Sequence, residues 1–523
     1  MKKVVKWQAI AAFLLFVSVA VSGQGYSNPV LSGFYPDPSV CRVGDDFYLV
    51  NSTFQYFPGL PIHHSKDLIH WEQIGHCINR TSQMDLSKTN SGGGLYAPTI
   101  RYHDGTYYVI NTNVSHGGNF YITATDPAGK WSDPIWVKQG GIDPELFFDE
   151  DGKCYFLSTI GQIKLSEIDV KTGKLLTEPK GIFNGLGDSS PEGPHLYKKD
   201  GYYYLLIAEG GTEYGHKVMI ARSKNIYGPY QINPANPILT HKSLEGSRSP
   251  IQGTGHADLV QAKDGSWWIM FLGFRPQSYM HHLLGRETFL APVRWDKNAW
   301  PVVNGNGMVS LNMDCPTLPQ VKYAETPTKD EFSETTLGYD WNYLCNPHFE
   351  NYSLSARKGF IRLKASTIFI TDTDSPTFIG RRQQHINFKA TTSLDAKGLN
   401  NNSEAGLAVY MMGKYQYDLS VVCKGGHKYL TLTYYLGEMK HIEKEIPLVG
   451  NQVYLRVEGS PDVYTFSYSK DNSKFEELAK MNTRFLSSET AGGFTGVYLG
   501  LFAQEKAKSN SYADFDWFEY THP

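Results

Sequence analysis

One short pattern recurs five times in the first 270 residues, and it constrains the fold more than any other feature of the chain. Each copy has a few apolar residues, a tight turn built on aspartate and usually glycine, and then an aromatic-rich strand. Such turns between strand-forming runs are typical of β-hairpins. The five turns lie at Asp45-Asp46, Asp104-Gly105, Asp151-Gly152, Asp200-Gly201 and Asp264-Gly265.

The spacing of these turns, 47 to 64 residues, suits four-stranded blades joined by loops of variable length. Their strands are apolar on both faces, as expected for strands buried between neighbouring blades. The pattern therefore predicts an all-β chain in which residues 24–318 form a five-bladed β-propeller. An irregular double sandwich is the alternative arrangement of the same strands.

An ionisable side chain stands seven or eight residues before four of the five turns. In a propeller, equivalent positions of the blades face one axis, so these side chains should converge there. Burying charges in this way is costly unless they serve a purpose, and paired carboxylates are what glycoside hydrolysis requires. For a single aspartate before proline, a turn or capping role is the alternative. The four residues are Asp37, Asp143, Glu192 and His256.

The order of the repeats suggests different roles for the three acids. Asp143 comes from the third repeat and Glu192 from the fourth, so the two should be neighbours. A nearby anion raises the pKa of a carboxyl group, so Glu192 should stay protonated and act as an acid. Asp37 comes from the first repeat, should stay ionised, and is the expected base.

The first 23 residues are typical of a secretory signal peptide. Lys2 and Lys3 precede an apolar run from Ala9 to Val17, and small residues up to Gly23 follow. This run is too short to be a membrane anchor. The sequence therefore predicts export, to the periplasm or the medium of a bacterium, without a membrane anchor.

The composition limits the other functions of the chain. A net charge of −3 argues against a nucleic-acid partner, which would require a basic surface. The six cysteines lack metal-type spacing. Export would permit disulfides between them, and burial as small apolar side chains is the alternative.

The sequence pattern changes after residue 300, where the repeats end. A proline-rich stretch that contains Pro319 and Pro327 predicts a linker at residues 319–328. From residue 329 to 523 the chain offers short alternating strands such as Leu407–Tyr410, without a long helical period. This pattern predicts a β-sandwich of the jelly-roll or concanavalin-like type.

Six segments occur in the order typical of one known family, and the resemblance that they carry covers residues from about 26 to 320. The chain resembles glycoside hydrolase family 43, which is five-bladed and inverting and includes β-xylosidases and α-L-arabinofuranosidases. The C-terminal region is similar to the β-sandwich that accompanies many β-xylosidase-type members. The segments are Asn28–Ser39, His63–Trp71, Gly141–Pro144, Pro191–Pro194, Gly253–His256 and Gly285–Thr288.

The resemblance implies roles for five polar residues. It makes Asp37 the general base, Glu192 the general acid, and Asp143 the group that tunes and orients the acid. It places His256 where the family has an axial histidine that orders a water or a structural calcium ion. A satisfied core histidine is the alternative for that residue. Arg286 matches a residue that binds sugar hydroxyls, with an ordinary ion pair as its alternative.

The resemblance also implies three aromatic contacts to the sugar. Phe54 matches a wall of the sugar pocket, and Tyr96 stands where many relatives have tryptophan. Phe494 lies in a glycine-rich loop that resembles a sandwich segment reaching over the pocket in relatives. Plain packing within the sandwich is the alternative for this loop.

These observations together predict an exported, exo-acting, inverting glycoside hydrolase without a required cofactor. Its expected oligosaccharide substrates are xylo-oligosaccharides or arabinose-substituted glycans, from whose non-reducing ends it would release xylose or arabinose. Two alternatives remain open at this point. One is a non-catalytic carbohydrate-binding propeller, and the other is a glycosidase of another sugar, such as arabinan or galactan.

Overall fold

The computed structural model describes residues 25–187, 190–244, 249–319, 321, 323 and 327–523. Nearly all regular structure in these residues is β-strand. The described helices are single turns, and none of them is long and apolar enough to cross a membrane. The predicted signal peptide lies outside the described residues, as does part of the predicted linker. The helical turns are Lys242–Leu244, Ser278–Met280, Phe349–Asn351, Thr483–Leu486 and Ser488–Ala491.

Five antiparallel sheets follow one another along the chain and form the predicted five-bladed propeller. The first blade contains Ser39–Val43, Asp46–Val50, Gly59–Ser65 and Glu72–Ile78. The second contains Thr99–His103, Thr106–Asn113, Gly118–Ala124 and Ile135–Trp136. The third contains Ile142–Phe148, Cys154–Thr159, Ile163–Asp169, Lys174–Leu175 and Lys180–Phe183.

The fourth blade contains Glu192–Lys199, Tyr202–Glu209, Lys217–Ser223, Gln231–Ile232 and Leu239–Thr240. The fifth contains Gln252–Gln261, Trp267–Phe274, Glu287–Trp295 and Pro301–Val303. In every blade the aromatic-rich strand after the predicted turn is a central strand, and it is apolar on both faces because the neighbouring blades cover both. The prediction of five blades from the repeated turns is confirmed.

The two ends of the propeller are joined by backbone pairing. Gly25–Ser27 pairs with Asn312–Asp314 in a two-stranded sheet. The side-chain amide of Asn28 donates to the Leu290 carbonyl at 2.9 Å, and the Leu290 amide donates back to the Asn28 oxygen at 2.9 Å. The start of the propeller is thereby fixed to the fifth blade, and this closes the ring.

A buried cluster of charged side chains joins the blades near the axis. Arg101, from the second blade, forms ion pairs with Glu145 of the third and Asp258 of the fifth. Asp258 also accepts a hydrogen bond of 2.6 Å from Ser39 of the first blade, and His195 of the fourth lies 2.9 Å from the Arg101 guanidinium. All five blades thus contribute to one network, in which each buried charge has an opposite partner.

The C-terminal region forms two eight-stranded sheets, as expected for a β-sandwich. One sheet contains Lys329–Asp330, Tyr352–Ser353, Ile361–Lys364, Phe388–Asp395, Gln452–Gly459, Val463–Ser469, Glu476–Asn482 and Tyr512–Thr521. The other contains Tyr56–Phe57, Asn342–Leu344, Phe378–Arg382, Ser403–Met412, Tyr415–Lys424, His427–Leu436, Met439–Pro447 and Tyr498–Glu505.

One strand of the sandwich comes from the propeller half of the chain. Tyr56–Phe57 lies between two strands of the first blade, yet it pairs with Asn342–Leu344. The rings of Tyr56 and Tyr498 stack with centroids 4.0 Å apart, and Arg382 donates to the Phe34 carbonyl at 2.7 Å. The two domains therefore share a sheet and a buried interface, which fixes the sandwich against the first blade.

The cysteines do not form disulfides in this structure. All six side chains are buried, and none of them is bonded to another cysteine. The interpretation of the cysteines as small buried side chains therefore holds.

Candidate active site

The structure brings all eight side chains singled out from the sequence around one cavity of about 120 Å³. This volume is well below the roughly 300–1,000 Å³ of sites that enclose larger ligands. It is of the order of one sugar ring. The lining residues are Asp37, Phe54, Tyr96, Ala97, Ile142, Asp143, Glu192, Thr212, His256, Arg286 and Phe494.

An unusual backbone conformation directs the polar residues into this cavity. Asp37, Asp143 and His256 have φ values of 51°, 53° and 43°, a region that non-glycine residues rarely adopt. After Glu192, Gly193 has a φ of 57°. The first strands of the third, fourth and fifth blades are also irregular in register at these points. Such bulges redirect side chains and are frequent beside active sites.

Asp37 is buried and held by three neighbours. Its Oδ1 accepts a hydrogen bond from Arg286 at 2.7 Å, and its Oδ2 accepts one from Ser52 at 2.5 Å. The Nδ1 atom of His256 lies 4.0 Å from Oδ1. Burial by itself raises the pKa of Asp37, but Arg286, His256 and the Ser52 hydroxyl together bring it below its usual value. Asp37 is therefore ionised at neutral pH, as its predicted role as a base requires.

The other two acids differ from the sequence-based expectation. The raised pKa belongs to Asp143, at about 7, because burial and the charges of Glu192 and Asp37 outweigh His256 and the Gly193 amide. The expectation of a raised pKa for Glu192 is wrong. Burial acts to raise its pKa, but the imidazole of His216, 3.4 Å away, lowers it.

Asp143 and Glu192 nevertheless act as one titrating pair. Both are buried, and the charge of Glu192 raises the pKa of Asp143, so a single proton on the pair relieves the repulsion between them. The Gly193 amide donates to Asp143 Oδ2 at 3.0 Å. This hydrogen bond links the backbone next to Glu192 to the Asp143 side chain. The cavity thus holds one dissociated carboxylate, Asp37, opposite a pair that carries one proton below about pH 7.

Three aromatic rings form a wall of the cavity. Phe54 is stacked on Phe494 with centroids 5.9 Å apart, and Tyr96 lies 5.2 Å from Phe54. Arg286 lies 5.6 Å from the Phe54 ring centroid and 5.7 Å from that of Phe494. Aromatic faces beside a cationic and carboxylate cluster suit a sugar, which has an apolar face and polar hydroxyl edges.

Phe494 comes from the sandwich rather than from the propeller. Its side chain is 40% exposed, and its carbonyl accepts a hydrogen bond of 3.4 Å from Arg286. Of the two interpretations of its loop, the structure therefore favours contact with the cavity over packing within the sandwich. The sandwich completes one side of the site.

Sequence reasoning missed several residues of the site. Thr212 accepts a hydrogen bond of 3.0 Å from Arg286, Ser52 binds Asp37, and His216 contacts Glu192. Thr212 and His216 lie in a loop of the fourth blade, and Ser52 follows a central strand of the first. None of them lies at the repeated position before a turn, so the repeats in the sequence do not indicate them.

His256 is the residue beside which the sequence predicts a structural calcium ion. Calcium takes roughly six to eight oxygen ligands, and no group of three or more His, Cys, Asp or Glu side chains in the described part of the chain could hold a metal ion. Instead, His256 packs its ring against Gly193 and faces Asp37. The structural calcium beside His256 stays a prediction.

Two family models match the chain. The one described as "Glycosyl hydrolases family 43" matches residues 26–301. The one described as "Beta xylosidase C-terminal Concanavalin A-like domain" matches residues 329–521. The two matches correspond to the propeller and the sandwich.

Relatives from three bacteria are similar over nearly their whole length. The chain is 45% identical to the "Non-reducing end alpha-L-arabinofuranosidase BoGH43B" of Bacteroides ovatus, over 97% of each protein. It is 40% identical to a "Xylosidase/arabinosidase" of Butyrivibrio fibrisolvens, over 94% of this chain and 98% of the relative. It is 36% identical to a "Beta-xylosidase" of Bacillus subtilis, over 94% of this chain and 99% of the relative.

Solved structures share the two-domain architecture. The structure of "Bacteroides ovatus Xyloglucan PUL GH43B" superposes with a TM-score of 0.91 at 44% identity, covering 96% of this chain and 100% of that one. A "xylan beta-1,4-xylosidase" from Bacillus halodurans gives a TM-score of 0.91 at 34% identity, covering 95% and 100%.

Proposed function

The chain belongs to glycosyl hydrolases family 43, and from this premise we propose that it is an exported, exo-acting, inverting enzyme. It is an O-glycoside hydrolase. The proposed substrates are xylo-oligosaccharides or arabinose-substituted glycans, from which it releases one xylose or arabinose at a time. The observation that carries the proposal is the convergence of Asp37, Asp143 and Glu192 in one cavity of single-sugar size.

The proposed mechanism is a single displacement. Asp37, held ionised by Arg286, accepts a proton from a water molecule as that water attacks the anomeric carbon. Glu192 donates its proton to the glycosidic oxygen, which leaves with the bonding electrons. Asp143 keeps a proton on the Asp143–Glu192 pair at neutral pH.

The size and wall of the cavity support an exo-acting enzyme for a small sugar. The aromatic rings of Phe54, Tyr96 and Phe494 close one side of the cavity, and the carboxylates line it. A chain end fits such a pocket, whereas an internal segment of a polysaccharide would need an open cleft. The names of the relatives include both xylosidase and arabinofuranosidase, so both pentoses belong to the proposal.

Export rests on the sequence of residues 1–23, with their lysine-rich start, short apolar run and small residues before residue 24. Fractionation of cells that produce the full chain, followed by N-terminal sequencing of the mature protein, would test it. The expected result is a mature protein outside the cytoplasm that begins near residue 24.

A substrate screen tests the proposed activity. The purified protein is incubated with 4-nitrophenyl β-xyloside and 4-nitrophenyl α-arabinofuranoside, and then with xylo-oligosaccharides, arabinan and galactan. We expect hydrolysis of at least one of the pentosides and release of a monosaccharide as the only early product. Release of larger fragments would contradict exo action, and activity confined to arabinan or galactan would contradict the proposed substrates.

The activity should fall as the pH rises through about 7, the pKa of Asp143. Below this pH the Asp143–Glu192 pair carries the proton that catalysis needs, and above it the proton is lost. Asp37 is already ionised throughout this range because its pKa is lowered. The measurement is kcat/KM from pH 4 to 9. Activity that is constant or rises above pH 7 would contradict the assignment.

Replacing Phe494 by alanine should lower kcat/KM by about 2- to 13-fold, because stacking of an aromatic ring contributes roughly 0.5–1.5 kcal/mol. The thermal stability should change little, since the ring is 40% exposed. Phe349→Ala is a matched control, because Phe349 is a 49% exposed sandwich residue that does not line the cavity. Equal losses of activity in the two variants would refute a direct contact of Phe494 with the sugar.

A further inference from the structure

One buried side chain that the sequence did not single out faces the proposed acid. His216 is fully buried, and its Nε2 lies 3.4 Å from Glu192 Oε1. Neither nitrogen of the ring has a well-aligned hydrogen bond to any of the described residues. A buried polar group without such a bond is costly and rare in native proteins. The position of this imidazole therefore calls for a reason beyond packing.

The fold holds the imidazole in place through its own loop and the fifth blade. The two ends of this loop, at Gly210 and Gly215, approach so closely that a Cβ at Gly210 would overlap the carbonyl of Gly215. The His216 amide donates to the Glu213 carbonyl at 3.1 Å. The ring lies directly on the backbone of Gly255, where any side chain would overlap it. The imidazole cannot swing away from Glu192 without opening these contacts.

We propose that His216 is a positioning residue that fixes which oxygen of Glu192 carries the transferable proton. The inference rests on the proposed function, in which Glu192 is the general acid. In the substrate-bound enzyme the Nε2–H group of His216 donates to Oε1, so the proton of the acid resides on Oε2. The contact of 3.4 Å is long, as catalytic hydrogen bonds often are before a substrate binds.

This arrangement would act mainly in the transition state. When Oε2 gives its proton to the glycosidic oxygen, the glycosidic bond breaks and the leaving sugar keeps the bonding electrons. Glu192 then becomes a carboxylate, and the hydrogen bond to Oε1 becomes charge-assisted and about twice as strong. An interaction that strengthens as the reaction proceeds lowers the barrier rather than only binding the substrate.

The charges around Glu192 make such a partner necessary. Asp37 raises the pKa of Glu192 and Glu192 in turn raises that of Asp143, so the negative charges oppose ionisation of the acid. His216 and His256 act in the opposite direction, and the effect of His216 is the larger of the two. Loss of His216 would leave the new carboxylate facing two other acids with less compensation.

Two substitutions test the inference. His216→Phe removes the donor and keeps a ring, whereas His216→Gln keeps a side-chain N–H group. Their kcat/KM values are compared on a 2,4-dinitrophenyl glycoside, whose leaving group needs no proton, and on the methyl glycoside of the same sugar. For His216→Phe we expect a loss of about 10- to 100-fold on the methyl glycoside and less than about 3-fold on the aryl glycoside. His216→Gln should recover much of the lost rate.

A matched control separates positioning from folding. His241 is also buried in the fourth blade, but its ring bonds the Ile251 carbonyl at 2.9 Å and the Val309 amide at 3.0 Å, away from the cavity. His241→Phe should lower thermal stability without changing the ratio of the two rates. Equal losses on both substrates in His216→Phe would overturn the inference. A wild-type protein inactive on every glycoside would instead overturn the proposed function, and the inference with it.

Discussion

Replacing Asp37 by asparagine should lower kcat by about 10²- to 10⁴-fold, the range that a positioned general base contributes. The amide cannot accept the proton of the attacking water, yet it can keep the hydrogen bond to Ser52 and remain beside Arg286. The cavity should therefore keep its shape, and KM should change less than kcat. The loss should be similar for good and poor leaving groups, because the base acts on water rather than on the departing oxygen.

Asp149→Asn is the matched control for this variant. Asp149 is also a buried aspartate of the propeller, bonded to Lys198 and Tyr203, but it does not line the cavity. Its substitution should affect stability and leave kcat nearly unchanged. If Asp37→Asn kept more than about a tenth of the wild-type rate, the assignment of Asp37 as the base would be refuted, given the usual size of this effect.

Replacing Glu192 by glutamine should also lower activity by about 10²- to 10⁴-fold, but only on substrates whose leaving group needs a proton. On xylobiose or a methyl glycoside the loss should be at the upper end of this range. On a 2,4-dinitrophenyl glycoside it should be small, because dinitrophenolate departs without protonation. The wild-type enzyme should lose activity above about pH 7 because the Asp143–Glu192 pair loses its proton. This loss should disappear when the 2,4-dinitrophenyl glycoside is the substrate.

Glu167→Gln provides the comparison for Glu192→Gln. Glu167 is a partly buried acid of the third blade that pairs with Lys153, remote from the lining of the cavity. The Glu167→Gln variant should hydrolyse both substrates at nearly the wild-type rate. A loss in Glu192→Gln that was the same for activated and poor leaving groups would mean that Glu192 does not donate the proton.

The propeller could be predicted because its signal is local and repeated. Each Asp-Gly turn fixes a hairpin, and the strands on its two sides are apolar because blades bury both faces. Equivalent positions of successive blades meet at the axis, so the repeats alone place Asp37, Asp143 and Glu192 in one cavity. The pairing of Tyr56–Phe57 with the sandwich could not be predicted, because a two-residue strand has no periodicity to detect.

The pKa shifts in the site were harder to predict than the residues that line it. The sequence indicates that Asp143 and Glu192 are neighbours and assigns the raised pKa to Glu192, because it does not show which of the two acids has a counter-charge. His216 is brought to Glu192 by the closure of a loop, so it lowers the pKa of Glu192 and leaves the raised pKa with Asp143. The position of Phe494 in the cavity likewise depends on how the sandwich docks on the first blade.

The stereochemistry of the first product tests the whole account most directly. Proton NMR spectra, recorded while the wild-type enzyme hydrolyses its best pentoside, show the anomeric signal of the sugar before it equilibrates in water. The account predicts a configuration opposite to that of the substrate, because water activated by Asp37 attacks the face away from the leaving group. A first-formed sugar with retained configuration would contradict it, since a carboxylate would then have bonded to the sugar itself.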